Sequence, residues 1–161
     1  MKAVQIHRYG GSDVLTYEET ERPVPGRGEV LVRVHAVGLN PVDTKTRQGL
    51  GIARMLGDHP FPLILGWDIS GEIVKLGAGV TAYTVGDAVY VMNRYPQPGN
   101  AYAEYVTAPV SDIAKKPANV SHVEAATLPM ATLTAWQALF DSARLQPGET
   151  VLLLVCLLLD N

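Results

Sequence analysis

Glu29-Val30-Leu31-Val32-Arg33-Val34-His35-Ala36-Val37-Gly38-Leu39 is the stretch on which the fold turns. Its apolar residues recur with a period of two. Val30, Val32, Val34 and Ala36 fall on one face, and Leu31, Arg33, His35 and Val37 on the other, as in a strand with one face in a core. Shorter runs of similar texture lie at Lys2–His7, Ile69–Leu76, Asp87–Met92, Ala103–Thr107 and Ile113–Lys115. Turn-forming clusters divide them: Pro-Gly-Arg-Gly at 25–28, Gly-Ala-Gly at 77–79, Val-Gly-Asp at 85–87 and Pro-Gln-Pro-Gly at 96–99. Many short strands separated by such turns predict a small antiparallel barrel or sandwich.

Past Pro117 the texture changes. Ser121-His122-Val123-Glu124 is a capping-box pattern, in which Ser and Glu each satisfy the other's free backbone N–H. The helix it opens meets Pro129, which has no N–H and breaks or kinks it. A second helix is expected to run to about Ala143, with an apolar stripe of Leu133, Trp136, Phe140 and Ala143 and Leu139 beside it. Gln146–Glu149 reads as a turn and Val151–Val155 as a buried strand. The expected organisation is mainly β with C-terminal helices: a barrel over 1–120, connecting helices over 121–150, and the first strand of a further unit over 151–161.

Composition narrows the function. With 161 residues, 47% of them hydrophobic and 18% charged, the chain can build a core and is no disordered segment. Thirteen Lys and Arg against 16 Asp and Glu give a net charge of −3. No polybasic segment is present, which argues against a nucleic-acid partner. The one cysteine, Cys156, excludes a disulfide framework and every cysteine-based zinc module. The longest apolar run, Val151–Leu159, is short of the roughly 20 residues that span a bilayer, so no membrane role is expected. The first eleven residues carry no apolar export core, and the expected location is the cytoplasm.

Several attractive motifs fail on their context. Gly77-Ala78-Gly79-Val80-Thr81-Ala82 matches G-x-G-x-x-A, but that motif binds a pyrophosphate only where the last small residue opens a helix. Here Tyr83-Thr84-Val85-Gly86-Asp87 follows, and a turn between strands is the better reading. The histidines at 7, 35, 59 and 122 are scattered, without a helical i, i+4 pair. His35, inside an apolar strand, reads as a half-buried, hydrogen-bonded side chain. Cys156 lies in a leucine run without a cation to activate it, and no G-x-S-x-G is present. Two segments are odder than packing requires. Asn40 and Asp43 follow the best strand, and Trp67 and Asp68 sit between apolar runs. A turn and a bulge would explain them as well as a site would.

These segments carry a family resemblance. Met-Lys-Ala-Val-Gln at 1–5, P-x-P-G-x-G-E-V-L-V-R-V at 23–34, A-V-G-L-N-P-V-D at 36–43, L-G-W-D-I-S-G at 65–71, V-G-D-A-V at 85–89 and A-T-L-P-M-A-T-L-T-A-W-Q-A-L at 126–139 occur in order. Over about residues 1–150 the chain resembles the medium-chain dehydrogenase/reductase superfamily, in particular its zinc-free quinone-oxidoreductase branch. The resemblance implies a GroES-like β-barrel, followed in such proteins by a Rossmann domain that carries NADPH.

Zinc-dependent members place a cysteine, a histidine and a cysteine where this chain aligns Asn40, Trp67 and Met130. Trp and Met are not zinc ligands, and no metal is expected. The resemblance then implies hydride transfer from NADPH to a quinone or an enone. Asn40 and Thr134 would face the nicotinamide end as catalytic and cofactor-binding residues. Trp67 and Met130 would line the substrate cleft, and Asp43 would hold the Asn40 loop. Many relatives have a tyrosine just after Pro-Val-Asp, where this chain reads Thr44-Lys45-Thr46-Arg47.

No glycine follows Gly148, so the phosphate-binding loop of a Rossmann domain is not encoded. The sequence therefore reads as a truncated or frame-altered product, or as a short form without its cofactor domain. Two functions follow. One is the substrate-binding half of an NADPH-dependent oxidoreductase, inactive and binding no cofactor by itself. The other is a stand-alone, non-catalytic barrel that binds a small molecule or a protein. A homodimer built on the apolar C-terminal run is expected in either case.

Overall fold

A computed structural model describes residues 1–57 and 61–153. In chain order the elements are β1 (Lys2–Ile6), β2 (Thr16–Glu19), β3 (Glu29–Gly38), α1 (Pro41–Arg47), α2 (Ile52–Leu56), β4 (Leu63–Ile64), β5 (Asp68–Leu76), β6 (Ala88–Met92), β7 (Tyr105–Pro109), β8 (Ile113–Lys115), α3 (His122–Ala126) and α4 (Pro129–Trp136). A π-helical turn over Gln137–Ser142 continues α4. The architecture is mainly β with helices at the C-terminal end, as the strand and turn pattern predicts.

The strands form two antiparallel sheets, β2-β1-β4 and β7-β3-β5-β6-β8. Residues 101–104 tie one to the other: Val4 donates to the Tyr102 carbonyl at 2.8 Å, Tyr102 donates to Leu65 O at 3.0 Å, and Ala3 bridges Ala103. This linking duty explains why β7 begins at Tyr105 and not at Ala103. Val30 and Val32 of β3, Ile69 and Ile73 of β5, Val89 of β6 and Val106 of β7 are buried together as the main core.

β3 departs from strict alternation. Leu31 is buried along with its neighbours Val30 and Val32, and the pairing with β5 slips between Leu31 and Val32 and again between Val34 and Ala36. The second slip leaves His35 as the extra residue of a bulge. Opposite it, a Cβ on Gly71 would stand 2.1 Å from the Arg33 carbonyl oxygen, so only glycine permits the approach. The bulge turns His35 outward, and it is exposed, not half-buried as its strand suggested.

Two strands and two helices were not anticipated. β2, Thr-Tyr-Glu-Glu, is a polar edge strand paired only with β1, and it lacks the apolar alternation that marks a strand. The Asn40-Pro41 step, expected as a turn, opens α1. Pro41 takes the first helical position, where its missing N–H is harmless, and Asp43 reaches back to the Asn40 N–H at 2.8 Å.

The capping box forms as expected: Ser121 Oγ accepts from the Glu124 N–H at 3.2 Å, and Glu124 accepts from the Ser121 N–H at 2.7 Å. Pro129 begins a new helix. Gly77-Ala78-Gly79 is a turn seated on β3, with the Gly28 N–H donating to Ala78 O at 2.9 Å and no helix after it. Of the strand expected at Val151–Val155, the structure describes only the first three residues. Val151–Leu153 are exposed and outside any strand, with no neighbouring strand among the described residues to pair with; Leu154 and Val155, like Cys156, lie outside the described residues.

Candidate active site

The end of β3, the start of β5 and the first turns of α1 and α4 converge. Asn40 leaves β3 and begins α1, Asp68 opens β5, and Met130 lies in the first turn of α4. One oxygen joins them. Asp68 Oδ2 accepts from Asn40 Nδ2 at 3.0 Å and from the Met130 backbone N–H at 3.0 Å. Thr134 stands one helical turn beyond Met130, exposed on the same helix.

A second carboxylate supports the first group. Asp43 Oδ2 accepts from the Asn40 backbone N–H at 2.8 Å and from the Tyr102 hydroxyl at 2.9 Å. Asp43 is 4% exposed and Asp68 1%, and each leaves its Oδ1 buried without a hydrogen-bond partner. Burial raises both carboxyl pKa values. The hydrogen bonds they accept oppose the shift, and the nearby Asp43 charge adds to it for Asp68. Burial, followed by the Asp43 charge, pushes the Tyr102 phenol strongly upward, so it remains a donor.

A small concavity of about 190 Å³ opens beside these groups, lined by Asn40, Asp43, Thr44 and Arg47 of the α1 segment and by Leu65 and Tyr102 among others. Ligand pockets commonly enclose about 300–1,000 Å³, so this one has room for the reacting end of a molecule and little more.

Asn40, Met130 and Asp43 thus lie in one hydrogen-bonded cluster, with Thr134 next to it. Trp67 does not line a cleft. It is 1% exposed, its indole N–H donates to Gln97 O at 2.7 Å, and its ring meets Tyr95 edge-on at 5.8 Å. Covering the molecule with further protein could only lower that exposure. Gly99 packs against it so closely that a Cβ there would lie 2.8 Å from Trp67 Cδ1. The indole fixes the Pro96–Gly99 loop, and its neighbour Asp68 faces the site, because adjacent residues entering a strand point to opposite sides.

Sequence reasoning noted Asp68 without giving it a role, and it missed Tyr102 and Arg47. The Asn-Pro-x-Asp helix start was the available signal for α1 and hence for Arg47. Nothing local marks Tyr102, whose partner is 59 positions away.

The residues suit the nicotinamide end of a dinucleotide. An amide held by a carboxylate keeps one N–H and its carbonyl oxygen free for another amide. Among the described residues no three His, Cys, Asp or Glu side chains come together as metal ligands.

Residues 26–118 match the alcohol dehydrogenase GroES-like domain. The chain is 37% identical over 144 residues to the mitochondrial NAD(P)H oxidoreductase RTN4IP1 of Dictyostelium discoideum, covering 88% of this chain and 40% of that protein. The solved quinone oxidoreductase of Coxiella burnetii superposes with a TM-score of 0.86 at 40% identity, covering 92% of this chain and 46% of that one. A mycobacterial protein solved in complex with NADPH superposes with a TM-score of 0.80 at 33% identity, over 92% of this chain and 43% of that one. The chain thus spans less than half the length of these relatives. It belongs to the alcohol dehydrogenase GroES-like domain family, among the quinone-oxidoreductase homologues of the medium-chain dehydrogenase/reductase superfamily.

Proposed function

We propose that this chain is the substrate-binding half of an NADPH-dependent oxidoreductase that reduces a quinone or an enone without a metal. The shared hydrogen bond of Asp68 Oδ2 with Asn40 and Met130 carries the reading, because it holds the Asn40 amide against the first turn of α4, and Asn40 also lines the small concavity. NADPH, when bound, supplies the hydride. The protein's part is positioning and water exclusion. Asn40 turns its remaining N–H and carbonyl toward the carboxamide of the nicotinamide. Thr134 offers a hydroxyl from α4, Met130 closes the apolar side, and Leu65 and Tyr102 form the wall against the acceptor.

This reading gives partners to the nicotinamide end of NADPH and to no other part of it. Association costs about 4–15 kcal/mol before any contact is counted, so a few hydrogen bonds give weak binding. Titration of NADPH and of reduced nicotinamide mononucleotide into the ¹⁵N-labelled chain, followed by NMR, tests the proposal. We expect similar millimolar constants for both ligands, with shifts centred on Asn40 and Thr134, and no quinone turnover by the chain alone. Tight NADPH binding, or shifts elsewhere only, would reject the nicotinamide assignment and leave a non-catalytic binding barrel as the reading.

A further inference from the structure

We propose that Asp68 is a positioning residue whose single oxygen Oδ2 sets the spacing between Asn40 and Thr134. This rests on the nicotinamide reading of the site given above. Asn40 and Thr134 belong to different parts of the chain. The first ends β3; the second rides on α4, which follows the whole sheet. Their relative placement therefore depends on what ties α4 to the end of β3.

Two ties are visible. The first is steric: α3 lies so close to β3 that a Cβ on Gly38 would stand 2.2 Å from the Ala126 carbonyl oxygen and 3.0 Å from Asp68 Cβ. It seats the α3 end of the linker, while the body of α4 rests against β6; neither contact reaches the Asn40 side chain. The second is the Asp68 carboxylate, which holds the first turn of α4 by the Met130 N–H and the Asn40 side chain by Nδ2, each at 3.0 Å. Thr134, one turn further, moves with that first turn.

The carboxylate also fixes which way the Asn40 amide faces. A carboxylate only accepts, so the NH₂ group must point to Asp68, which leaves the carbonyl oxygen directed away from it. A neutral amide at position 68 weakens this arrangement. Its oxygen can take the place of Oδ2 and accept from both donors, but the bonds lose the charge that strengthens them, and its NH₂ is buried where Oδ1 now stands without a partner. A hydrophobic residue would leave both donors without a partner. The burial of Asp68 makes these bonds stronger than they would be in water and more damaging to lose.

The test uses the full chain and reduced nicotinamide mononucleotide as probe. D68N is expected to retain the fold by its NMR spectrum, to move the Asn40 side-chain amide and Met130 N–H signals together, and to raise the probe's dissociation constant about tenfold, as loss of a charge-assisted hydrogen bond implies. If D68N does not fold, D68E carries the test. It keeps a charged acceptor for both donors but adds one methylene, which changes the distance between Asn40 and the first turn of α4. D68E should shift the Asn40 side-chain amide and Met130 N–H signals together, reduce the probe-induced shift at Thr134, and weaken binding to a similar degree. Unchanged affinity with either folded variant would overturn the positioning role while leaving the nicotinamide reading intact. A wild-type chain whose Asn40 and Thr134 signals ignore the probe would overturn that reading, and this proposal with it.

Discussion

The imidazole of His122 lies flat on that of His35, ring centroids 4.5 Å apart and planes 14° from parallel. The β3 bulge delivers one ring and the first position of α3 the other. Ser70 Oγ joins the pair: it donates to the Val89 carbonyl at 3.0 Å and stands 2.7 Å from His122 Nδ1. A hydroxyl has one proton, so His122 must donate from Nδ1 and carry its lone pair on Nε2.

A pH dependence of stability follows. Burial lowers the His122 pKa first, then the neighbouring His35 and Lys116, while Glu72 opposes them. A folded-state pKa below the unfolded value of 6.5 means that the unfolded chain binds the proton more readily. The stabilisation is present above about pH 6.5 and is lost as the pH falls through the lower folded value. Urea melts from pH 8 to pH 5 should show the midpoint dropping in acid, and H122Q should flatten the drop. A wild-type midpoint that rises on acidification over that interval would contradict the assignment.

The Tyr102–Asp43 hydrogen bond predicts a pH dependence of the other sign. Burial raises the Asp43 pKa, and the Tyr102 hydroxyl partly offsets this. In Y102F the carboxylate keeps one donor, the Asn40 N–H, and its folded-state pKa climbs further. We expect Y102F to lose about 1–3 kcal/mol near neutral pH, the range for an unmet buried polar group. The deficit should shrink toward pH 4, where the folded carboxyl takes up a proton more readily than the unfolded one. A deficit independent of pH would show that the phenol acts by packing alone.

Much of this was legible locally. The β3 strand, the Ser121–Glu124 box and the break at Pro129 are statements about neighbours in sequence, and the structure repeats them. The bulge at His35 was not legible, because it depends on Gly71 meeting the Arg33 carbonyl across the sheet. Site residues behaved likewise. Asn40 and Asp43 stood out as a polar pair after the best strand, although the helix start that demands them was not anticipated. Trp67 drew attention by its size although its side chain points inward, whereas Asp68 acts through partners 28 and 62 positions away.

Zinc content is a direct check on the side chains standing where the zinc-dependent relatives have ligands. Asn40 has its amide nitrogen on Asp68, Trp67 has its indole N–H on Gln97, and Met130 offers a thioether, which is not among the thiolate, imidazole and carboxylate donors of zinc sites. Dialysis against trace zinc followed by elemental analysis should find far less than one zinc per chain. A stoichiometric value would require ligands outside this cluster.

The last prediction concerns the apolar surface at the C-terminal end. Leu133 is 42% exposed, Trp136 56% and Phe140 43%, and the Trp136 and Phe140 rings lie 4.5 Å apart on the same side of the α4 extension. Val151, Leu152 and Leu153 add 42%, 80% and 75% exposure a short turn later. Fully burying one such side chain stabilises by roughly 1.5–3 kcal/mol, so six exposed ones have a strong drive to be covered. Isolated exposed apolar residues are ordinary; a cluster of this kind marks a contact surface. We expect the 161-residue chain on its own to pair through this patch, since a twofold arrangement lets one patch cover its copy. Light scattering at tens of micromolar should report a dimer for the full chain. It should report a monomer for a variant ending at Thr150 and for W136E, which places a charge at the centre of the patch. If the full chain is monomeric at that concentration, the patch is covered within one molecule and the pairing is wrong. If W136E remains dimeric while the shortened chain does not, the contact belongs to the residues after Thr150 and not to the helix.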